Sequence, residues 1–284
     1  MENEYKMKEL PVSVTYETIR KQEPHQEITH WHDGIELIRV LKGNLHCHVN
    51  ESGFLLNPDE VCFINQSQMH RIYGNMDQSC EVEKLSLGTS MLAWNPALYN
   101  KYIKPFIEDD AFAHIRMDGR NSHAKRIIFL MEEISQCLKE KPEGYELEII
   151  GNIHLLCRQI YLLHTKTQGQ VVEDYDLTLQ KRMVKYIQDH YSEKIGLMDI
   201  AESAGISRSK CTNLFNFYTD SSPVEYLNRY RLEMAAQQLR TSKEALSNIA
   251  FSCGFSQQSY FSRMFVKEFG MTPLAYRKQS YSNL

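Results

Sequence analysis

The last hundred residues contain one unit written twice. Ile200-Ala201-Glu202-Ser203-Ala204-Gly205-Ile206-Ser207 aligns with Ile249-Ala250-Phe251-Ser252-Cys253-Gly254-Phe255-Ser256 at an offset of 49. One extra residue in the second copy shifts the offset to 50, after which Leu214-Phe215 matches Met264-Phe265, Pro223 matches Pro273 and Tyr226 matches Tyr276. A duplicated period of this length restricts the region to repeated supersecondary units. Each copy has the grammar of a helix-turn-helix. A short helix packs through a small residue (Ala201, Ala250), a glycine suited to left-handed backbone ends it (Gly205, Gly254), and a serine (Ser207, Ser256) stands where it can cap the next helix.

The second helix of each unit divides cleanly into faces. Cys211, Leu214, Phe215 and Tyr218 form an inward stripe in the first copy, leaving Arg208, Ser209, Thr212, Asn213 and Asn216 outward. In the second copy Phe261, Met264, Phe265 and Phe269 turn inward and Gln257, Gln258, Ser259, Ser262 and Arg263 outward. Arg, Gln and Asn are the side chains that read purine edges in a major groove. Between the copies, Pro223 to Arg240 reads as one helix with Pro at its first position and Val224, Leu227, Tyr230, Met234, Ala235 and Leu239 buried. At a rise of about 1.5 Å per residue it spans about 27 Å, near the roughly 34 Å between successive major grooves.

Charge supports this reading only when divided. The whole chain of 284 residues carries −4, which argues against a polyanionic partner. Residues 181–284 hold fourteen Lys and Arg against nine acids, a balance of +5, so residues 1–180 carry −9. The basic module meets nucleic acid and the acidic one does something else.

These residues carry a resemblance. Ile200-Ala201, Gly205-Ile206-Ser207, Leu214-Phe215, Pro223, Tyr226-Leu227 and Arg231-Leu232, followed by Ile249-Ala250, Gly254-Phe255-Ser256, Ser259-Tyr260-Phe261-Ser262-Arg263, Phe265, Gly270-Met271-Thr272-Pro273 and Tyr276-Arg277, resemble the DNA-binding domain of the AraC/XylS family of transcription regulators. The resemblance spans about 100 residues. It implies two recognition helices in adjacent major-groove segments of double-stranded DNA. Base readers then fall at Ser209, Thr212 and Asn213 in the first copy and at Gln258, Ser259 and Arg263 in the second, with Gln257 beside them. Asn213 stands where the family often has Arg. Arg208, Lys210 and Lys267 are expected at phosphates.

The acidic half begins differently. From Val12 to Leu87, short β-branched and aromatic runs are punctuated by Asp33-Gly34, Gly43-Asn44, Asn50-Glu51-Ser52-Gly53 and Asn57-Pro58-Asp59-Glu60, which predicts an antiparallel barrel or sandwich. Asn121–Glu140 and Glu143–Thr165 read as amphipathic helices that either cover the barrel or make a dimer seam. The predicted organisation is α+β. A barrel at about 12–87 and helices at about 90–165 form a first domain (1–165), a polar linker follows at 166–176, and an all-α tandem helix-turn-helix domain occupies 177–284.

His30-Trp31-His32-Asp33-Gly34-Ile35-Glu36, then Gly43, Pro58 and His70, resemble the cupin motifs, although Asp59 and Glu60 depart from the usual glycine-containing turn. The resemblance implies a cupin-like effector domain and makes His30, His32, Glu36 and His70 a candidate divalent-metal set, against a metal-free pocket lined by the same residues. His46 and His48 share a face and, with Arg39 and Glu36, either line a polar cavity or stand outside the barrel. The family points to an organic effector, a sugar or sugar derivative, with no cofactor and no enzymatic activity. It also points to a homodimer and, for an activator, to RNA polymerase as a partner. The alternative is a cupin metalloenzyme with a tethered DNA-binding domain. Seven cysteines without a C-x-x-C pair and a polar N-terminus, with no membrane partner in view, predict a cytoplasmic protein.

Overall fold

The computed structural model describes residues 3–7, 11–19, 29–74, 79–167 and 175–282. It resolves into two compact units, one built around Trp31–Glu173 and the other around Asp174–Leu284. Most of the polar stretch expected as a linker, 166–176, lies outside the described residues.

The first unit is a three-layer arrangement. Strands β1 (Asn3–Lys6), β2 (Val12–Ile19), β3 (Gly34–Lys42), β6 (Val61–Ile64), β8 (Cys80–Gly88) and β9 (His114–Met117) form an antiparallel sheet in the order β1-β2-β8-β3-β6-β9. Strands β4 (Leu45–Val49), β5 (Ser52–Leu56) and β7 (His70–Gly74) form a second, ordered β5-β4-β7. The expected barrel is therefore two facing sheets. Alternation on β3 sends Ile38 and Val40 between the sheets, where they meet Leu45, Cys47, Val49 and Ile72 from the smaller sheet in an apolar cluster. Ile35 and Leu37 point the other way, into a larger core shared with α3 (Ser122–Glu140) and α4 (Tyr145–Thr167). The two helices thus cover the large sheet.

Helix α3 starts where Asn121 accepts a hydrogen bond from the His123 backbone, and it stops at Lys141 in left-handed backbone, φ 48°. Helical spacing in 143–165 predicts Leu147, Cys157 and either Ile153 or His154 and Ile160 or Tyr161 on the buried face of α4; Ile153, Cys157 and Ile160 are buried there, joined by Ile149, Leu156 and Leu163, whereas Leu147 is 77% exposed. Strand β9 and the short turns before it carry no periodicity that would predict them. These turns are a 3-10 turn at Thr89–Trp94, α1 (Pro96–Leu98), a π-turn at Tyr99–Ile103 and α2 (Lys104–Ile107).

The second unit is all helix. Its elements are α5 (Tyr175–His190), α6 (Leu197–Ser203), α7 (Arg208–Thr219), α8 (Pro223–Thr241), α9 (Leu246–Ser252), α10 (Gln258–Phe269) and α11 (Pro273–Ser282). The duplicated sequence folds as α6–α7 and α9–α10, with Gly205 and Gly254 at φ 66° and 82° between the members. The connecting helix α8 begins in a reciprocal cap: Ser222 and Glu225 each accept from the other's backbone N–H. Leu227, Ala235 and Leu239 are buried as expected, but the edge of the face differs. Val224 is exposed at 43%, while Tyr226, Arg231 and Leu232 are buried. Arg231 goes inside because its guanidinium donates to the carbonyls of Tyr191 and Glu193, both at 2.7 Å, just beyond the end of α5. Periodicity treats every Arg as an outward residue and misses this.

All seven cysteines are reduced and buried. Among the described residues no helix is long and apolar enough to cross a membrane.

Candidate functional site

The two recognition helices α7 and α10 are each twelve residues long. Each is held by a buried stripe, mixed under α7 (Cys211, Leu214, Phe215 and Tyr218) and aromatic under α10 (Phe261, Phe265 and Phe269). Phe265 stacks on Phe269 at 4.2 Å and meets Tyr276 edge-on at 5.4 Å, so the second helix is fixed from below along its length. Their other faces are open. Arg208, Ser209 and Asn213 are exposed with Thr212 half-buried, and Gln257, Gln258, Ser259, Arg263 and Lys267 are all exposed. Every expected base reader therefore sits on one accessible face of its helix.

Two details differ from expectation. Ser207 caps α7, accepting from the Lys210 N–H, but α10 begins one residue later than predicted. Its cap position is Gln257, without a side-chain cap, so Ser256 does not play the role of Ser207. Lys210, expected at phosphate, lies 2.8 Å from Asp176 and over the ring of Tyr175 at 5.7 Å. An ion pair with α5 competes with any phosphate for that ammonium group.

In the first unit the predicted residues separate into three groups. Glu36 and His70 come together: Glu36 points between the sheets and is 5% exposed, with its Oε2 3.3 Å from His70 Nε2 and its Oε1 accepting from Ser86 Oγ at 3.1 Å. His70 Nδ1 lies 2.8 Å from the Gln68 carbonyl and His32 Nδ1 2.9 Å from the Gly34 carbonyl. A carbonyl only accepts, so both rings carry their proton on Nδ1 when neutral and turn Nε2 to the site. The His32 and His70 rings meet edge-on at 5.0 Å, and the ligand nitrogens of His30, His32 and His70 lie within 4.8 Å of one another. Burial opposes ionisation of Glu36. With His70 protonated, donation from its Nε2–H and the charges of Lys84, His70 and His32 outweigh it and hold the carboxyl well below the usual carboxylate range.

Arg39 is elsewhere. It lies on the helix-facing side of β3, 2.7 Å from Glu132 of α3 and 3.7 Å from Glu83 of β8. Strand alternation dictates this, because Arg39 is three residues from Glu36 and odd spacings point to opposite faces. His46 and His48 form the third group, on the outside of the small sheet, where both stack against Tyr73, at 4.9 and 6.2 Å. Neither they nor Arg39 join Glu36 in a cavity.

Sequence reasoning missed two members of the cluster around Glu36. Ser86 sits opposite Glu36 in the β3–β8 register, and Lys84, two residues along, pairs with Glu17 of β2 at 2.7 Å. The signal was available in β8, Cys80-Glu81-Val82-Glu83-Lys84-Leu85-Ser86, where polar residues occupy both faces of a strand that is otherwise apolar.

Comparison with known proteins agrees with both halves of this geometry. The family profile described as an AraC-like ligand binding domain matches residues 13–115, and one described as a helix-turn-helix domain matches residues 200–279. The chain is similar to the uncharacterized HTH-type transcriptional regulator YdeC of Bacillus subtilis, 26% identical over 277 residues, covering 98% of this chain and 95% of the relative. It is similar as well to the HTH-type transcriptional activator RhaS of Escherichia fergusonii, 26% identical over 251 residues, covering 88% and 87%. In fold it resembles ToxT of Vibrio cholerae, with a TM-score of 0.58 at 14% identity over 95% of this chain and 97% of that one. An accessible pair of recognition helices and, earlier in the chain, an effector-type β-domain are thus found together with matching relatives along the whole chain, and the chain belongs to the AraC/XylS family of DNA-binding transcription regulators that respond to small molecules.

Proposed function

We propose that the chain is a transcription activator that recruits RNA polymerase as a homodimer, with its effector, a sugar or sugar derivative, bound at the polar cluster of Glu36, His70, His32 and Ser86. The observation that carries the DNA reading is the repetition of one open polar helix face in α7 and α10. Relatives that are named activators support the direction of control. A buried carboxylate beside imidazoles and a hydroxyl supports an effector rich in hydroxyl groups, since such a site pairs donors and acceptors in close order.

The DNA reading is tested by competition binding of the full chain to a selected operator and to random duplex. Arg263→Ala is expected to weaken operator binding by about 1–3 kcal/mol and to relax preference at one base pair; Lys267→Ala weakens binding to both duplexes alike. Equal losses on both duplexes for Arg263→Ala would remove α10 as a reader. The effector reading is tested by thermal shift against a carbohydrate panel, where a ligand that stabilises the chain but not Glu36→Gln supports it.

One observation favours a second reading. Three imidazole nitrogens within 4.8 Å, with His32 and His70 oriented through Nδ1 by backbone carbonyls, form a donor set suited to Zn2+, Fe2+, Mn2+ or Ni2+. His30, His32 and His70 would hold the ion, with Glu36 adjoining, and the ion would supply Lewis acidity. Stoichiometric metal in tag-free protein, lost in His32→Ala, would support it; metal-free protein that still binds effector would exclude it.

A further inference from the structure

A second cavity lies away from the Glu36 cluster, in the wall formed by the irregular turns at 89–107 and helix α4. Its volume is about 410 Å3, within the range of ligand pockets. Two aromatic pairs frame it. Trp94 meets the His154 ring edge-on at 5.8 Å, and Tyr102 meets Tyr161 edge-on at 5.4 Å; Tyr99 also lines the cavity. The π-turn at Tyr99–Ile103 supplies the near wall, and such turns with an extra residue recur where side chains must be aimed into a site.

The polar groups divide sharply into fixed and available. His154 Nδ1 lies 2.7 Å from the Ile150 carbonyl, so it carries the proton, and Nε2 accepts from Trp94 Nε1 at 2.8 Å. Both ring nitrogens are occupied, and the histidine serves to hold the tryptophan upright. Arg158, one turn further along the same face of α4, is exposed at the cavity and has no hydrogen bond or ion pair among the described residues. Lys101, outside the cavity lining, lies 5.0 Å over the Tyr102 ring. An open guanidinium at an aromatic-lined cavity, in a module whose net charge is −9, selects an anion with a flat apolar body.

We propose that this cavity is a second small-molecule site, separate from the Glu36 cluster, and that it takes an aromatic carboxylate whose ring lies among Trp94, Tyr99, Tyr102 and Tyr161 and whose carboxylate pairs with Arg158. The test is titration of the full chain with biphenyl-4-carboxylate and with biphenyl-4-carboxamide, read by thermal shift and tryptophan fluorescence. The acid is expected to bind at least roughly tenfold more tightly than the amide. Arg158→Gln, an exposed substitution that leaves the fold intact, should abolish this preference. Tyr102→Ala should weaken both compounds. Glu36→Gln should change neither, which separates this site from the proposed effector site whichever way that reading falls. Equal binding of acid and amide, unchanged acid affinity in Arg158→Gln, or no shift with either compound would overturn the proposal. A Trp94→Ala chain that binds the acid normally but sediments with a different self-association constant would also overturn it, by assigning this face to chain–chain contact.

Discussion

Gly205 and Gly254 occupy the same turn in the two helix-turn-helix units and share the left-handed conformation, at φ 66° and 82°. Around Gly205 there is open space. A Cβ on Gly254 would collide with the Tyr191 carbonyl oxygen and come within 2.8 Å of Arg231 Nε. The first glycine answers only to its own backbone. The second also lets α9 approach the end of α5 and the buried guanidinium from α8. Two copies of one motif have thus become different parts: a unit that needs a turn, and a unit whose turn is a packing surface.

Substitutions can pull this comparison apart. Gly254→Ala adds overpacking against rigid backbone to the left-handed penalty and is expected to cost about 2–5 kcal/mol in urea melts, against about 1–2 kcal/mol for Gly205→Ala. Equal costs would show that the close approach relaxes freely. Arg231→Met keeps much of the length of the side chain but removes the donors to the Tyr191 and Glu193 carbonyls, leaving Glu193 with only the Ile195 N–H. It is expected to destabilise by about 2–4 kcal/mol and to lower DNA affinity through misplaced units rather than lost contacts. An Arg231→Met chain that melts normally but binds its operator weakly would confine the role of the arginine to alignment. The smallest contrast is at the caps. Ser207→Ala should cost about 1 kcal/mol, while Ser256→Ala, whose hydroxyl caps nothing, should stay within about 0.5 kcal/mol.

Much of the second unit was legible because its information is local. Helix periodicity, a left-handed glycine and a proline at a first turn are each written within a few residues, so Cys211, Phe215, Phe261 and Phe265 could be placed inside and Asn213 and Arg263 outside from spacing alone. The exceptions are non-local. Arg231 is buried because two carbonyls some forty residues earlier in the chain need a donor. The first unit resisted reading for the same reason. That Glu36 meets Ser86 follows from the β3–β8 register, and that Arg39 meets Glu132 follows from which sheet face α3 covers; neither is encoded near the residues concerned. Face parity is nevertheless a matter of counting, and strand alternation by itself is enough to separate Arg39 from Glu36. The aromatic cavity beside α4 carried no recognisable spacing, because it is assembled from a π-turn and a helix some fifty residues apart.

The burial of the cysteines has a practical consequence for chemistry at the surface. Burial raises the thiols of Cys80, Cys211 and Cys253 to about 11 and that of Cys157 to about 12, so little thiolate forms at neutral pH and none of these groups meets a reagent readily. A maleimide dye should therefore leave the folded chain almost unmodified. Replacing an exposed residue of a recognition helix, as in Ser209→Cys or Ser259→Cys, would give that helix the one fast-labelling thiol on the protein, and each unit could be watched separately as it meets DNA without removing a native cysteine.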